Sequence, residues 1–254
     1  MKFKISLEYA GTNYSGWKKQ KNAKTVQDTI INAVKTAFSK CNGKNIFTDL
    51  QGSGRTDKGV HALGQVAHLE CDTMIAPHIL QFKINDELPS DINILDNILD
   101  IVKAPQNFHA RHSAVSRQYL YRISERRTAF EKKFVWWIKD SLNIEKMSVA
   151  SALFKGMHDF SSFTEESPDQ QSTKVLIEDI NISRNESSKY IILIRIRASH
   201  FLWKMVRRIA GVLAETGRGN FTDKDILYFI KNYSDAPAKY TAPPSGLFLE
   251  KVYY

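Results

Sequence analysis

Residues 51–68 read QGSGRTDKGVHALGQVAH, a glycine-rich stretch that leads into a more apolar segment. It carries Arg55 and Asp57 among Gly52, Gly54 and Gly59, and a fourth glycine, Gly64, follows. Glycine and aspartate are both favoured in tight turns. The stretch therefore predicts a loop, followed by a strand, that holds a carboxylate two residues after an arginine. Taken alone, the pattern is also compatible with a turn that has only a structural role.

Two kinds of phosphate-binding loop are excluded by the same residues. The G-x-x-x-x-G spacing that begins at Gly54 is followed by Val60 and His61, where a P-loop requires Lys and Ser or Thr. A dinucleotide fingerprint begun at Gly52 would place Asp57 at its third glycine, where a carboxylate would repel the pyrophosphate. Neither nucleotide-binding motif is therefore present in this loop.

Charge and cysteine content restrict the class of protein. The chain of 254 residues has 36 basic and 27 acidic residues, a net charge of +9. This excess favours a polyanionic partner, nucleic acid first and an acidic membrane surface second, although a soluble protein can also simply be basic. The two cysteines, Cys41 and Cys71, have no ligand cluster beside them, so we expect no metal and a reducing cytoplasm. We also expect no signal peptide and no membrane span.

Alternating polar and apolar residues predict several half-exposed strands. The first is KFKISLEYA, in which Phe3, Ile5, Leu7 and Tyr9 share a face. AVSRQYLYRIS, at residues 114–124, and KYIILIRIRAS, at residues 189–199, alternate in the same way. This alternation is typical of antiparallel strands with one solvated face.

Helical spacing and capping residues predict three helices, one after the first of these strands and two after the last. The first follows Thr25, which has capping-box spacing to Asp28, and ends at Gly43. The second runs through FLWKMVRRIAGVLAETG, residues 201–217, and the third follows Thr222. We therefore predict an α+β fold dominated by antiparallel sheet. Its two domains are 1–107, an α+β half that carries the Asp57 loop, and 108–254, a second α+β half.

Several further motifs carry a resemblance to a known family. GRTDKGVHALGQVAH resembles the signature of the tRNA pseudouridine synthase A (TruA) family. Similar motifs follow in the family's order: EYAGTNYSGWKKQ, TVQ, FHARHSAVSRQYLYRI, GMHDFSSFT, FLWKMVRRIAGVLAETGRG and APPSGLFLEKVYY. The resemblance covers nearly the whole chain. The chain departs from the family's motifs in three places. These are Ala10 in place of aspartate, the absence of an arginine near Val175, and ASHF at the start of the predicted helix of residues 201–217.

The resemblance implies a fold and a reaction. The fold would be the pseudouridine synthase fold, two α+β halves that share a mainly antiparallel sheet with a central cleft. The reaction would be the isomerisation of uridine to pseudouridine in the anticodon arm of tRNA, around tRNA positions 38 to 40. It needs no redox step and no group donor, so no cofactor is implied. Members are typically cytoplasmic homodimers, which leads us to expect one here.

The resemblance also assigns roles to individual residues. Asp57 would be the catalytic carboxylate, and it must stay charged although burial alone would raise its pKa. Arg207 would pair with it, Tyr119 would stack on the flipped uracil, and Leu247 would pack beneath that tyrosine. Arg55 would help to extrude the base from the RNA stem.

The remaining basic residues and histidines fit simpler roles. Lys18 and Lys19, with Lys21 and Lys24, and a second group, Arg126, Arg127, Lys132 and Lys133, would contact RNA phosphates. Arg208 would meet phosphate or solvent, and Tyr121 would be a core residue. Four histidines fit structural positions better than metal ligation: His61, His68, His109 and His112.

Three other functions remain open on the sequence alone. A relative with the same chemistry on other RNA uridines would carry the same loop. A non-catalytic tRNA-binding protein would retain the basic residues but has no need of Asp57, Arg55, Tyr119 and Arg207. A basic phosphohydrolase would need a second carboxylate, or a lysine and a hydroxyl, in the glycine loop.

Overall fold

The computed structural model describes residues 1–95, 101–165 and 172–254. The chain divides into two compact units, Met1–Val115 with Leu249–Tyr254, and Ser116–Phe248. The boundary predicted between residues 107 and 108 lies before this division, and the last six residues, Leu249–Tyr254, belong to the first unit. Each unit contains both helices and strands.

The described part of the chain contains eleven strands and six α-helices in its secondary structure. The strands are β1 (Lys2–Tyr9), β2 (Ile46–Gly52), β3 (His61–Asp72), β4 (Ile92–Ile94), β5 (Ile101–Lys103), β6 (Ser116–Ser124), β7 (Trp136–Trp137), β8 (Gly156–Asp159), β9 (Lys174–Arg184), β10 (Ile191–Ala198) and β11 (Leu247–Tyr253). The helices are α1 (Val26–Ser39), α2 (Pro77–Asn85), α3 (Ile144–Ser151), α4 (Met205–Arg218), α5 (Asp223–Lys231) and α6 (Ala236–Lys239).

Most strand pairs within each unit are antiparallel. In the first unit the strand order is β4-β1-β3-β11, with β2 beside β3 and β5 beside β1. In the second unit the order is β6-β10-β9-β8, and the short β7 runs parallel to β6. The predicted α+β class, with antiparallel pairing dominant, is confirmed.

The first strand and helix form as the sequence predicts. Buried and partly exposed residues alternate along β1, with Phe3 and Ile5 fully buried. The Thr25 side chain accepts a hydrogen bond from the backbone N–H of Asp28 and caps α1. The helix ends at Ser39, four residues before Gly43, so the predicted end is wrong.

The strands β6 and β10 are covered on both faces, which the sequence pattern did not indicate. Ile192, Ile194 and Ile196 are buried on the predicted face. On the opposite face, Leu120, Ile191, Leu193 and Phe248 form a second apolar cluster. The prediction of a solvated second face is therefore wrong at this end of the two strands.

Helix α4 begins and ends later than the sequence predicts. It starts at Met205, after Lys204, whose φ of 61° is left-handed and interrupts any helix begun at Phe201. It ends at Arg218 and is capped by Gly219, whose φ is 86°. Gly217, the predicted end, lies inside the helix, where an added Cβ would approach the side chain of Met147 to 2.9 Å.

Candidate active site

The loop between β2 and β3 is anchored at its start by buried polar groups. Ser53 donates its backbone N–H to the carbonyl of Val66 (2.7 Å) and its hydroxyl to the Gln65 Oε1 (2.6 Å). The Nε2 of Gln65 donates to the carbonyl of Gly54 (3.0 Å). Because Ser53 and Gln65 are fully buried, these bonds hold the loop to the body of the first unit.

Thr56 anchors the middle of the loop. Its side chain is buried, and its hydroxyl is 2.8 Å from the hydroxyl of Tyr9 on β1. Its carbonyl accepts a hydrogen bond from the backbone N–H of Trp17 (3.0 Å). Burial raises the pKa of Tyr9 to about 12, so this hydroxyl is neutral at physiological pH. Thr56 is thus held through both its side chain and its backbone.

Asp57 follows directly and lies at a turn. It is half-buried, and its carbonyl accepts a hydrogen bond from the backbone N–H of Val60 (3.1 Å). Gly59, with a φ of 78°, completes the turn and donates its N–H to the carbonyl of Tyr14 (3.3 Å). Arg55, on the other side of Thr56, is exposed. The predicted loop is therefore present, and its backbone is fixed on both sides of Asp57.

Two glycines let the segment after β1 approach this loop closely. A Cβ at Gly11 would lie 1.8 Å from the carbonyl oxygen of Val60. A Cβ at Gly16, whose φ is 96°, would lie 2.6 Å from the carbonyl oxygen of Thr56. The sequence analysis did not select these glycines, although both lie within the EYAGTNYSGWKKQ motif.

The predicted phosphate-contacting lysines beside this segment are exposed. Lys18 and Lys19 both face solvent, and the Nζ of Lys19 is 2.7 Å from a carboxylate oxygen of Asp28. The Nζ of Lys24 lies 4.8 Å from the centre of the Tyr14 ring. Because the Lys19–Asp28 pair is partly exposed, we expect it to contribute little to stability.

In the second unit, the two tyrosines of β6 have different environments. Tyr119 is 7% exposed, and its ring meets that of Phe201 edge-on at 4.8 Å between centres. Tyr121 is fully buried, and its hydroxyl donates to the carbonyl of Pro243 (2.7 Å). Burial raises the pKa of Tyr121 well above its ordinary value. The prediction that Tyr121 is a core residue is confirmed.

Arg207 is not a solvated surface arginine. Its Nε donates to the carbonyl of Ala242 (2.7 Å), and its own carbonyl accepts from the backbone N–H of Ala242 (3.1 Å). One turn later, a Cβ at Gly211 would lie 1.6 Å from the carbonyl oxygen of Tyr240. The segment after α6 therefore packs directly on this helix face. Leu247, the first residue of β11, is 6% exposed.

The prediction for Arg208 is wrong. It is only 8% exposed, and its Nη1 donates to the carbonyls of Ser162 (3.2 Å) and Thr164 (2.5 Å). Burial lowers the pKa of its guanidinium, and the nearby Glu165 carboxylate opposes that effect. Arg208 therefore joins α4 to the backbone of residues 162–164, between β8 and β9, and is not available to phosphate. Glu165 itself pairs closely with Lys204.

Two of the histidines accept backbone hydrogen bonds in the first unit. His61 Nδ1 accepts from the N–H of Gly11 (3.0 Å), and His68 Nδ1 accepts from the N–H of Ala110 (3.1 Å). Burial lowers the pKa of His68 and favours its neutral form. Among the described residues, no group of three or more potential metal ligands lies together. These contacts agree with structural roles for His61 and His68.

The predicted site residues therefore fall into two groups. Arg55 and Asp57 lie on one loop of the first unit. Lys18 and Lys19 belong to the same unit but lie between β1 and α1. The others, Tyr119, Arg207 and Leu247, belong to the second unit.

Comparison with known proteins identifies the family. The family model described as tRNA pseudouridine synthase matches residues 5–111 and 150–254. The chain belongs to the tRNA pseudouridine synthase family. The predicted family is confirmed. The prediction of an isomerase that acts on uridine in tRNA is confirmed with it.

Relatives in this family match along their whole length. The tRNA pseudouridine synthase A of Thermoanaerobacter sp. (strain X514) is 38% identical over 252 residues, which cover 98% of each chain. That of Ehrlichia chaffeensis (strain Arkansas) is 39% identical over 258 residues, which cover 100% of each chain.

One solved structure shows a weaker likeness. A chain of the structure described as "Structure of H/ACA RNP bound to a substrate RNA containing 2'-deoxyuridine" matches with a TM-score of 0.41 and 9% identity. The match covers 85% of this chain and 43% of that one, and it adds nothing to the family assignment. Within the part of the chain that is described, no helix is long and apolar enough to cross a membrane.

Proposed function

We propose that this chain isomerises uridines in the anticodon arm of tRNA, around tRNA positions 38 to 40. The observation that carries the proposal is the match to tRNA pseudouridine synthases over most of the chain, together with the GRTDKG loop at Asp57. In the reaction, the bond from N1 of uracil to the ribose breaks, the base turns, and C5 bonds to the ribose. The C5 proton is lost and N1 gains one, so atoms balance without a cofactor.

Asp57 is the proposed catalytic carboxylate. It would attack C6 of the base, attack the anomeric carbon, or assist removal of a ribose proton. All three routes need a charged oxygen held in a defined position. The hydrogen bonds at Thr56, Gly59 and Val60 support this role because they hold the backbone on both sides of Asp57.

The proposed supporting residues act on the base and on the charge of Asp57. Tyr119 stacks on the flipped uracil, Leu247 packs beneath it, and Arg207 pairs with the Asp57 carboxylate. The contact of Arg207 Nε with the carbonyl of Ala242 supports a directing role, because it restricts the orientation of the guanidinium. Arg55 occupies the space in the RNA stem that the flipped base leaves.

The proposed setting is a cytoplasmic homodimer that binds one tRNA with both subunits. Lys18 and Lys19 contact phosphates of the tRNA backbone, and their exposure agrees with this role. The net charge of +9 agrees with a polyanionic substrate. Binding should therefore weaken as the salt concentration rises.

The test is tritium release from tRNA transcribed with 5-tritiated uridine. The wild type should release label, because the C5 hydrogen leaves only when C5 is bonded to the sugar. Asp57→Asn keeps the shape of the side chain and removes its charge, so it should release no label while it still binds tRNA. Asp86→Asn, which changes an exposed carboxylate after α2, is the matched control and should keep wild-type activity.

Each outcome separates one part of the proposal from the rest. Sequencing of the product for pseudouridine shows whether the sites are in the anticodon arm. A wild type that binds tRNA but releases nothing across a tRNA pool would leave another RNA substrate or a binding role. Release by Asp57→Asn at the wild-type rate would remove Asp57 from the chemistry.

A further inference from the structure

We propose that the segment of residues 125–133 is an RNA-binding loop in which Phe130 stacks on an unpaired base and the neighbouring cations contact phosphates. The inference rests on the proposed function in taking RNA as the partner. It adds a contact surface that lies outside the predicted catalytic residues. We refer to residues 125–133, which follow β6, as the 125–133 loop.

The loop is tied to the second unit through its two acidic residues. Glu125 accepts hydrogen bonds from the backbone N–H of Leu142 (2.8 Å) and from Arg184 Nη1 (2.6 Å). Glu131 accepts from Arg122 Nη2 (2.7 Å). Both carboxylates are therefore used within the fold of this unit, and they position the loop.

One end of the loop is further held by an aromatic contact. The guanidinium carbon of Arg126 lies 4.1 Å from the centre of the Tyr190 ring, and its Nη2 is 3.1 Å from the Tyr190 hydroxyl oxygen. The Ser124 hydroxyl donates to the carbonyl of Arg126 (2.6 Å). The first residues of the loop are thus held against β6 and Tyr190.

Phe130 lies between these anchors and is 96% exposed. A phenylalanine so exposed contributes almost no burial to the fold, and its ring is open to a partner. Its apolar surface must be covered by a ligand before the hydrophobic effect can contribute.

Every exposed charged side chain of the loop is a cation. Arg126, Arg127, Lys132 and Lys133 are exposed, whereas Glu125 and Glu131 are half-buried. Among the residues that the structure describes, no carboxylate pairs with Arg127, Lys132 or Lys133. The loop therefore offers a positive surface, and its charge favours a polyanion over a neutral or basic partner.

An exposed aromatic ring among cations is the combination that binds unpaired nucleotides. Aromatic rings stack on bases with little dependence on sequence, while lysine and arginine contact the backbone. The 125–133 loop provides this combination, with Phe130 beside the exposed cations Arg127, Lys132 and Lys133.

The test compares Phe130→Ala with Phe82→Ala, which removes an exposed phenylalanine from α2 of the first unit. Affinity for a tRNA transcript is measured by fluorescence anisotropy at fixed salt, and kcat and KM by tritium release. Phe130→Ala should weaken tRNA binding about 5- to 150-fold, the range for loss of one base stack. Phe130→Trp should keep the affinity, and Phe82→Ala should leave it unchanged.

A second variant tests the cations. Lys132→Gln together with Lys133→Gln should reduce the slope of log affinity against log salt by about 1.4 to 1.8, since each lost phosphate contact removes about 0.7 to 0.9. Photo-crosslinking from p-benzoylphenylalanine at position 130 should reach an unpaired nucleotide. Thermal melting of all variants should match that of the wild type, because these side chains are exposed.

Specific outcomes would overturn the proposal. Equal tRNA affinities for Phe130→Ala and Phe82→Ala would remove Phe130 from RNA binding. Dissociation of a dimer by Phe130→Ala, measured by sedimentation, would assign the loop to an interface between copies of the chain. Failure of the proposed function is distinct: the wild type would then release no tritium, whether or not these variants change RNA binding.

Discussion

The hydrogen bond between the hydroxyls of Tyr9 and Thr56 makes a prediction about the position of Asp57. The two oxygens are 2.8 Å apart, and both side chains are buried. Gln65 Nε2 also lies 3.5 Å from the Tyr9 hydroxyl. Thr56 directly precedes Asp57, so a change in this contact acts on the backbone of the proposed catalytic loop.

Either single change breaks the hydrogen bond between these buried hydroxyls, and Thr56→Val leaves Tyr9 with only the longer contact to Gln65 Nε2. Tyr9→Phe removes one hydroxyl, and Thr56→Val removes the other with little change in shape. An unsatisfied buried polar group costs about 1–3 kcal/mol, so each variant should lose that much free energy of unfolding. For a chain of this size, the melting temperature should fall by about 2–4 °C for each kcal/mol.

The double variant separates the contact from its surroundings. With both hydroxyls removed, neither one is left unsatisfied by the loss of the other, and the pair becomes apolar. The cost of Tyr9→Phe with Thr56→Val should therefore be smaller than the sum of the two single costs, by about 1 kcal/mol or more. Urea denaturation of the four proteins measures this coupling energy.

The rate of tritium release should also depend on the hydrogen bond between Tyr9 and Thr56. A misplacement of about 1 Å at a catalytic group can reduce the rate up to about a hundredfold. We expect each single variant to reduce kcat for tritium release by roughly tenfold, with a smaller change in KM. Tyr121→Phe is the control, because it removes another buried hydroxyl, the one bonded to the carbonyl of Pro243, at a distance in sequence from this loop.

Two results would refute this reasoning. Strictly additive single costs would mean that the two hydroxyls do not interact in solution. Wild-type kcat in both destabilised variants, measured well below their melting temperatures, would mean that this contact does not position the loop for catalysis.

Two further predictions concern the second unit. Gly211→Ala should destabilise the protein by roughly 1–3 kcal/mol in urea denaturation, because the new Cβ would lie 1.6 Å from the carbonyl oxygen of Tyr240. This steric cost should exceed the gain from the higher helix propensity of alanine. A more stable variant would contradict this packing. Asp225→Ala should cost about 0.5–2 kcal/mol at pH 7, since it breaks the capping box with Thr222. The hydrogen bonds from Thr222 lower the pKa of the Asp225 carboxyl below its unfolded value, so its contribution is present above about pH 4 and is lost as the pH falls through the folded pKa. The difference between wild type and variant should therefore shrink below about pH 4, and a difference that grows in acid would contradict this assignment.

Local sequence was sufficient where the decisive interactions are short in range. Alternation of period two placed Phe3 and Ile5 on the buried face of β1, and capping residues located the starts of α1 and α5. The loop at Asp57 followed from its glycines and its turn residues. The family, and the proposed site residues, came from motifs in the sequence.

Tertiary structure decided what depends on segments distant in sequence. The second buried face of β6 and β10 exists because Phe248 covers Leu120 and its neighbours, which no local period encodes. Arg208 is buried because the carbonyls of Ser162 and Thr164 accept its hydrogen bonds, although its sequence context resembles that of an exposed arginine. A pattern records the environment that one segment prefers, whereas burial and hydrogen bonding are completed by residues far along the chain that only the fold brings into contact.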